Sequence, residues 1–150
     1  MEPFRSILSL VDFSPASAHA VALGADLSRR YGASLLLVHV FDPLPYALPD
    51  IAWLYTAEQQ SRLTSELENS LRAAQRDAEA AGAAQVTTRL LQGSPTATIV
   101  DFVDSNHIDL VVMGSHGRTG FKRLLLGSVA ESVSRAVSCT VVIARSRPQS

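Results

Sequence analysis

Apolar and polar positions alternate along this chain with two different periods. Five short runs, Ile7–Val11, Ser34–Phe41, Gln85–Leu91, Leu110–Met113 and Thr140–Ala144, read as strands, and all but Gln85–Leu91 are apolar at most positions. Such runs suit strands covered on both faces, as in a parallel sheet. Gln85–Leu91 is the least apolar of them and belongs nearer an edge. Between the runs, apolar residues recur three and four apart, as on one side of a helix. Ala16, Ala20, Leu23, Leu27 and Tyr31 share such a face. Ser14 and Pro15 provide an N-cap and a first-turn proline, and Gly32 a stop. Leu63, Leu67, Leu71, Ala74, Ala78 and Ala81 form one stripe on a long helix ending near Gly82. Ser94-Pro95 starts another helix, whose buried side is Ile99, Val100, Phe102 and Val103. Val129–Val137 predicts the last. Asp42–Ile51 contains Pro43, Pro45 and Pro49 and is a loop or extended segment, with Trp53 and Tyr55 just beyond it. Arg145–Ser150 is a polar tail.

Strand and helix alternate throughout, which predicts an α/β fold: an open parallel sheet with helices on both faces. Right-handed crossovers leave few topologies for it. In such sheets ligands bind outside the carboxyl ends of the strands, where the winding reverses.

Composition narrows the function classes. At 150 residues the chain predicts one domain, residues 1–150, with a sizeable core. A net charge of −1, without basic blocks, supplies no field for nucleic acid. No apolar run is long enough to span a bilayer, and the first residues lack the order of a secretory signal, so a cytoplasmic location and no membrane contact are expected. One cysteine, Cys139, cannot form an intrachain disulfide, and the four histidines have no ligand spacing.

The stretch from Met113 to Ser128 carries the candidate chemistry. It leads from the end of a strand to the start of a helix, and is spaced by glycines that tolerate positive φ and admit a ligand to backbone N–H groups. The helix start favours a phosphate, and Arg118, Lys122 and Arg123 add positive charge. Neither Gly-x-x-x-x-Gly-Lys-Ser/Thr nor Gly-x-Gly-x-x-Gly is present. Ser128 and Glu131 have the spacing of a capping box, so Ser128 is suited either to capping its helix or to meeting a phosphate. Asp12, at the end of the first strand, suits a ribose hydroxyl or a metal, and equally a cap partner for the Ser14 turn. His116 invites an enzymatic reading but has no partner fixed by the sequence. Leu10 and Val40 suit either a purine wall or ordinary core packing.

The spacing Gly114-x2-Gly117-x9-Gly127-Ser128, flanked by Met113 and Val129, resembles the nucleotide-binding loop of the universal stress protein family, in its ATP-binding branch. The resemblance runs from the Val11-Asp12-Phe13-Ser14 turn through the last strand. It implies a flavodoxin-like, Rossmann-like five-stranded sheet of order 3-2-1-4-5, which would bring Asp12 and the glycine loop to one crevice between strands one and four. It further implies nucleotide contacts at Asp12, Gly114, Gly117, Gly127 and Ser128, flanked by Met113 and Val129, with Leu10 and Val40 beside the adenine. Apart from the resemblance, Arg118 joins the candidate nucleotide-binding residues by its charge and His116 by its place in the loop. The implied ligand is ATP or another adenine nucleotide. Glu131, in the first turn of the last helix, would repel its phosphates, so Mg²⁺ or Arg118 is expected to balance the charge. The implied assembly is a homodimer through Thr140–Ala144, a strand whose edge carries no charge or proline. Thr140 departs from the family pattern, in which many members have proline there.

The sequence thus points to a cytoplasmic ATP-binding stress-response protein, a sensor or regulator rather than a metabolic enzyme. A slow nucleotide hydrolase on the same sheet is the main alternative. ATP pyrophosphatases of similar architecture carry a glycine-rich loop after the first strand, which Val11-Asp12-Phe13-Ser14-Pro15 is not. A dimerising interaction module without nucleotide is the other alternative, and the intact glycine spacing weighs against it.

Overall fold

A computed structural model describes residues 2–43, 56–116 and 126–145. Five parallel strands, β1 (Ser6–Leu10), β2 (Ser34–Phe41), β3 (Val86–Gln92), β4 (Leu110–Gly114) and β5 (Thr140–Ala144), form one sheet of order β3-β2-β1-β4-β5. Helices α1 (Pro15–Tyr31), α2 (Ala57–Ala80), α3 (Pro95–Ser105) and α4 (Ser128–Ala136) connect them. The architecture and strand order are those expected, with the less apolar β3 at an edge.

Alternation within the strands divides the core in two. Ile7, Leu35, Leu37, Leu110 and Val112 pack under α1 and α2, against Ala20, Val21, Leu71 and Ala78. Leu8, Val38, Val111 and Met113 pack on the opposite face, against Ile99 and Val103 of α3 and Ala130 and Val133 of α4. Asp109 fixes the amino ends of the two central strands. Its Oδ2 accepts from the Arg5 and Ser6 N–H groups at 2.8 and 2.9 Å, and its own N–H donates to the Ser6 carbonyl at 3.0 Å.

The caps follow the sequence in part. Ser14 caps α1, Pro15 opens it, and Gly32 closes it at φ 66°. Thr56 and Gln59 form a complete capping box on α2, from a Thr-x-x-Gln signal present in the sequence. Ser94 occupies the N-cap position of α3 without a side-chain bond. The buried side of α1 differs from the expected one. Ala16 and Ala20 are buried as expected, but Ser17, Val21, Gly24, Ala25 and Ser28 are buried with them, while Leu23 and Leu27 are only partly buried and Tyr31 is 47% exposed. Small residues let the helix axis approach the strands, and this close fit decides the face over hydropathy. On α2, Leu71 and Ala78 are buried as expected, whereas Ala81 is its exposed C-cap.

Ser9, in the middle of β1, is 0% exposed, and its hydroxyl has no hydrogen-bond partner among the described residues. An orphaned buried hydroxyl carries a desolvation cost that no bond offsets. Ser9→Ala is therefore expected to stabilise the fold by about 1 kcal/mol, a rise of roughly 2–4 °C in Tm. A lower melting temperature in a thermal scan would contradict this.

Candidate functional site

The turn after β1 is built from a closed set of hydrogen bonds. Asp12 Oδ1 accepts from the Ser14 N–H at 2.9 Å and from the Ser14 hydroxyl. Ser14 Oγ accepts from the Ser17 N–H at 3.2 Å, and the Ser17 hydroxyl donates back to the Ser14 carbonyl at 3.2 Å. Asp12 is thus a cap partner for α1 and also lines the crevice described below. Phe13 has φ 64°, a left-handed conformation that costs a non-glycine residue about 1–3 kcal/mol. Its ring lies 4.7 Å from the His39 imidazole at 44°. His39 Nδ1 is 2.6 Å from the Val11 carbonyl oxygen. A carbonyl only accepts, so Nδ1 carries the proton.

Across the crevice, β4 ends at Gly114, where a Cβ would stand 2.8 Å from the Ala16 carbonyl carbon and 2.9 Å from its Cβ. Glycine is required here because the backbone of α1 passes so close. The Ser115 N–H donates to the Ala144 carbonyl at 3.0 Å, and the Gly127 N–H donates to the Ser115 carbonyl at 2.7 Å, which ties the two ends of the glycine loop together. The Ser115 hydroxyl and His116 Nδ1 are 2.9 Å apart, while His116 Nε2 is buried with no partner among the described residues.

Two local expectations are corrected here. Ser128 and Glu131 do not form a capping box. Gly127 is the N-cap of α4, no side chain caps it, and Glu131 pairs with Arg135 at 2.9 Å. Closing the loop commits Gly127 to the cap position and makes Ser128 the first helical residue. Positive φ is also not the reason for glycine at 127, whose φ is −58°, or at 114, which is not among the positive-φ glycines. The first bond within α4 runs from the Glu131 N–H to the Gly127 carbonyl at 2.9 Å. The N–H groups of Ser128, Val129 and Ala130 precede it and give this end of the helix its anion-attracting character.

These elements surround a cavity of about 320 Å³ at the carboxyl ends of β1 and β4, within the size range of small-molecule sites. Nine of the eleven residues singled out from the sequence line it: Leu10, Asp12, Val40, Met113, Gly114, His116, Gly127, Ser128 and Val129. Gly117 and Arg118, with Lys122 and Arg123, lie outside the described residues. Leu10, Val40 and Met113 also belong to the core on the α3–α4 face, so the apolar wall of the cavity is an extension of that core. His39, Ser17 and Ile99 line it as well; none of them is a binding candidate in the sequence, where Ile99 reads only as core. Their signal was positional: His39 and Ile99 stand at a strand end and a helix start bordering the switch point. Among the described residues no group of three acidic, histidine or cysteine side chains could hold a metal. Cys139 is partly buried and away from the cavity, and burial pushes its thiol up, which disfavours the reactive thiolate. No helix of the described residues is long and apolar enough to cross a membrane.

The profile of the Universal stress protein family matches residues 3–145. The universal stress protein MJ0531 of Methanocaldococcus jannaschii is 31% identical over 144 residues, covering 95% of this chain and 82% of the relative. Among solved structures, the universal stress protein UspA from Lactobacillus plantarum has a TM-score of 0.82 at 26% identity, over 97% of this chain and 100% of that one. A universal stress protein solved in complex with cAMP has a TM-score of 0.69 at 26% identity, over 95% of this chain and 98% of that one.

Gly114→Ala forces a Cβ against the Ala16 backbone, which has no rotamer with which to retreat. The expected cost is about 1–3 kcal/mol, as for overpacked sites, read as a lower Tm without added nucleotide. Wild-type melting would show that α1 can draw back freely from β4.

Proposed function

The chain belongs to the universal stress protein family, and from that premise we propose that it binds an adenine nucleotide, ATP first, as a cytoplasmic sensor or regulator of the stress response. One observation carries the reading: residues far apart in sequence, chosen for nucleotide chemistry, line a single cavity at the switch point of the sheet. The similar protein solved with cAMP, itself an adenine nucleotide, supports the ligand class. In this reading Leu10, Val40 and Met113 flank the base, Asp12 meets the ribose, and the phosphates lie toward the start of α4. Gly117 and Arg118 complete the phosphate end. With no three-ligand cluster among the described residues, Mg²⁺ would be held chiefly by phosphate oxygens.

A slow hydrolase is the second reading, favoured by the buried Nε2 of His116 in the cavity wall, which has no partner among the described residues. Against it, phosphoryl transfer needs a group to orient the attacking water. Asp12, the carboxylate in the cavity wall, is engaged with the Ser14 turn.

ATP at about a hundred times its dissociation constant is expected to stabilise the protein by roughly 2.7 kcal/mol, a rise of about 5–10 °C in Tm, with turnover far below the ~10 s⁻¹ of a typical enzyme. No thermal shift at millimolar Mg²⁺-ATP would favour the nucleotide-free interaction module. Rapid hydrolysis that is lost in His116→Ala would favour the hydrolase.

The homodimer is proposed through β5. It is an edge strand of the sheet, with Thr140 exposed and Val141, Val142 and Ile143 half-buried. Unpaired backbone groups along such an edge favour association with a second copy. Sedimentation is expected to give a dimer at micromolar concentration and monomers or aggregates for Val142→Lys. A monomeric wild type would end this proposal.

A further inference from the structure

The ladder between β1 and β2 ends in an unusual way, and the residue responsible faces the cavity. In this ladder the Ser34 N–H donates to the Arg5 carbonyl at 2.9 Å, and the pairing continues to Leu10 opposite Val38. The Val11 N–H then donates to the Val38 carbonyl at 2.8 Å. The next rung of a parallel ladder would run from the Val40 N–H to the Val11 carbonyl. That rung is absent, and Val11 does not pair with His39 as a strand residue. His39 supplies the missing donor instead, through Nδ1 at 2.6 Å from the Val11 oxygen. The Phe13 ring, carried on its left-handed backbone, lies against the imidazole.

We propose that His39 is a positioning residue for the nucleotide: by taking the Val11 carbonyl, it stops β1 from pairing with Val40 and leaves the Val40 N–H to face the base. The proposal rests on the adenine-nucleotide reading above. The β1 side of Val40 is where the cavity opens, and Val40, His39 and Asp12 all line it. An N–H directed into a partly apolar cleft suits an acceptor nitrogen at the edge of a purine, since the apolar wall excludes the water that would otherwise compete. The same bond fixes Val11 immediately before Asp12, so one side chain sets both the base end and the ribose end of the site. Without the imidazole donor, the Val11 carbonyl is left to take the Val40 N–H, which extends the sheet by one rung and closes the base position.

Amide hydrogen exchange at Val40, followed by NMR, tests this together with ATP affinity. In the free wild-type protein the Val40 amide should exchange quickly, and ATP should slow it. In His39→Leu it should be slow without ATP, and ATP affinity should fall by about tenfold, or about 1.4 kcal/mol. His39→Asn places an amide N–H close to the Nδ1 position and should restore both fast exchange and affinity. If His39→Leu does not fold, His39→Phe, which keeps a ring beside Phe13 and lacks the donor, takes its place. Equal Val40 exchange in the free wild type and the donor-less variant would overturn the role given to His39, as would unchanged ATP affinity in that variant. So would an Asn variant as weak as Leu. Exchange that differs between the free proteins but responds to ATP in neither would instead remove the nucleotide reading, and with it the purpose assigned to His39.

Discussion

The approach of the α1 backbone to the end of β4 is the contact on which the rest of the structure depends. At Gly114 a single added carbon would lie within 3.0 Å of three atoms of Ala16. That approach is sustained along the helix by Ala20, Gly24 and Ala25, which face the sheet where larger side chains would hold it off. Because α1 starts so close to β4, the turn that caps it shares one cavity with Gly114 at the end of β4 and with the start of α4. The individual cap bonds of Asp12, Ser14 and Ser17 are each worth about 1 kcal/mol. They refine a geometry that backbone packing has already imposed.

The fold was largely legible in the sequence because the strands are buried on both faces. Four of the five runs are apolar almost throughout, and such runs leave few alternatives to a covered parallel sheet. The α1 face was misjudged for a related reason. Hydropathy favours Leu23, Leu27 and Tyr31, but Gly24, Ala25 and Ser28 fit the space above the strands. Steric fit has no period of its own to read. The caps show the limit of local motifs. Thr56 and Gln59 form a capping box, while Ser128 and Glu131, at the same spacing, do not. What separates them is the Gly127–Ser115 bond, which joins residues that no short window contains.

The candidate site was legible to a similar degree and for a different reason. Glycines, an aspartate and a serine at strand and helix ends carry a spacing that can be recognised, and those within the described residues meet at one cavity. Ser115 and His39 carry no such spacing. Ser115 acts through its backbone at the base of the loop, and His39 through a bond to a carbonyl on another strand. A residue whose partner is a main-chain atom leaves no complementary side chain in the sequence by which to find it.

The bond between the Gly127 N–H and the Ser115 carbonyl has a consequence for how the start of α4 is held. It brings the two stems of the intervening segment to a fixed gap of 2.7 Å, and the Ser115–Ala144 bond anchors that gap to the sheet. The N-cap of α4 is therefore pinned to the last two strands and not left to the conformation of the intervening residues. The three N–H groups that open α4 thus keep their place in the cavity wall as a property of the sheet.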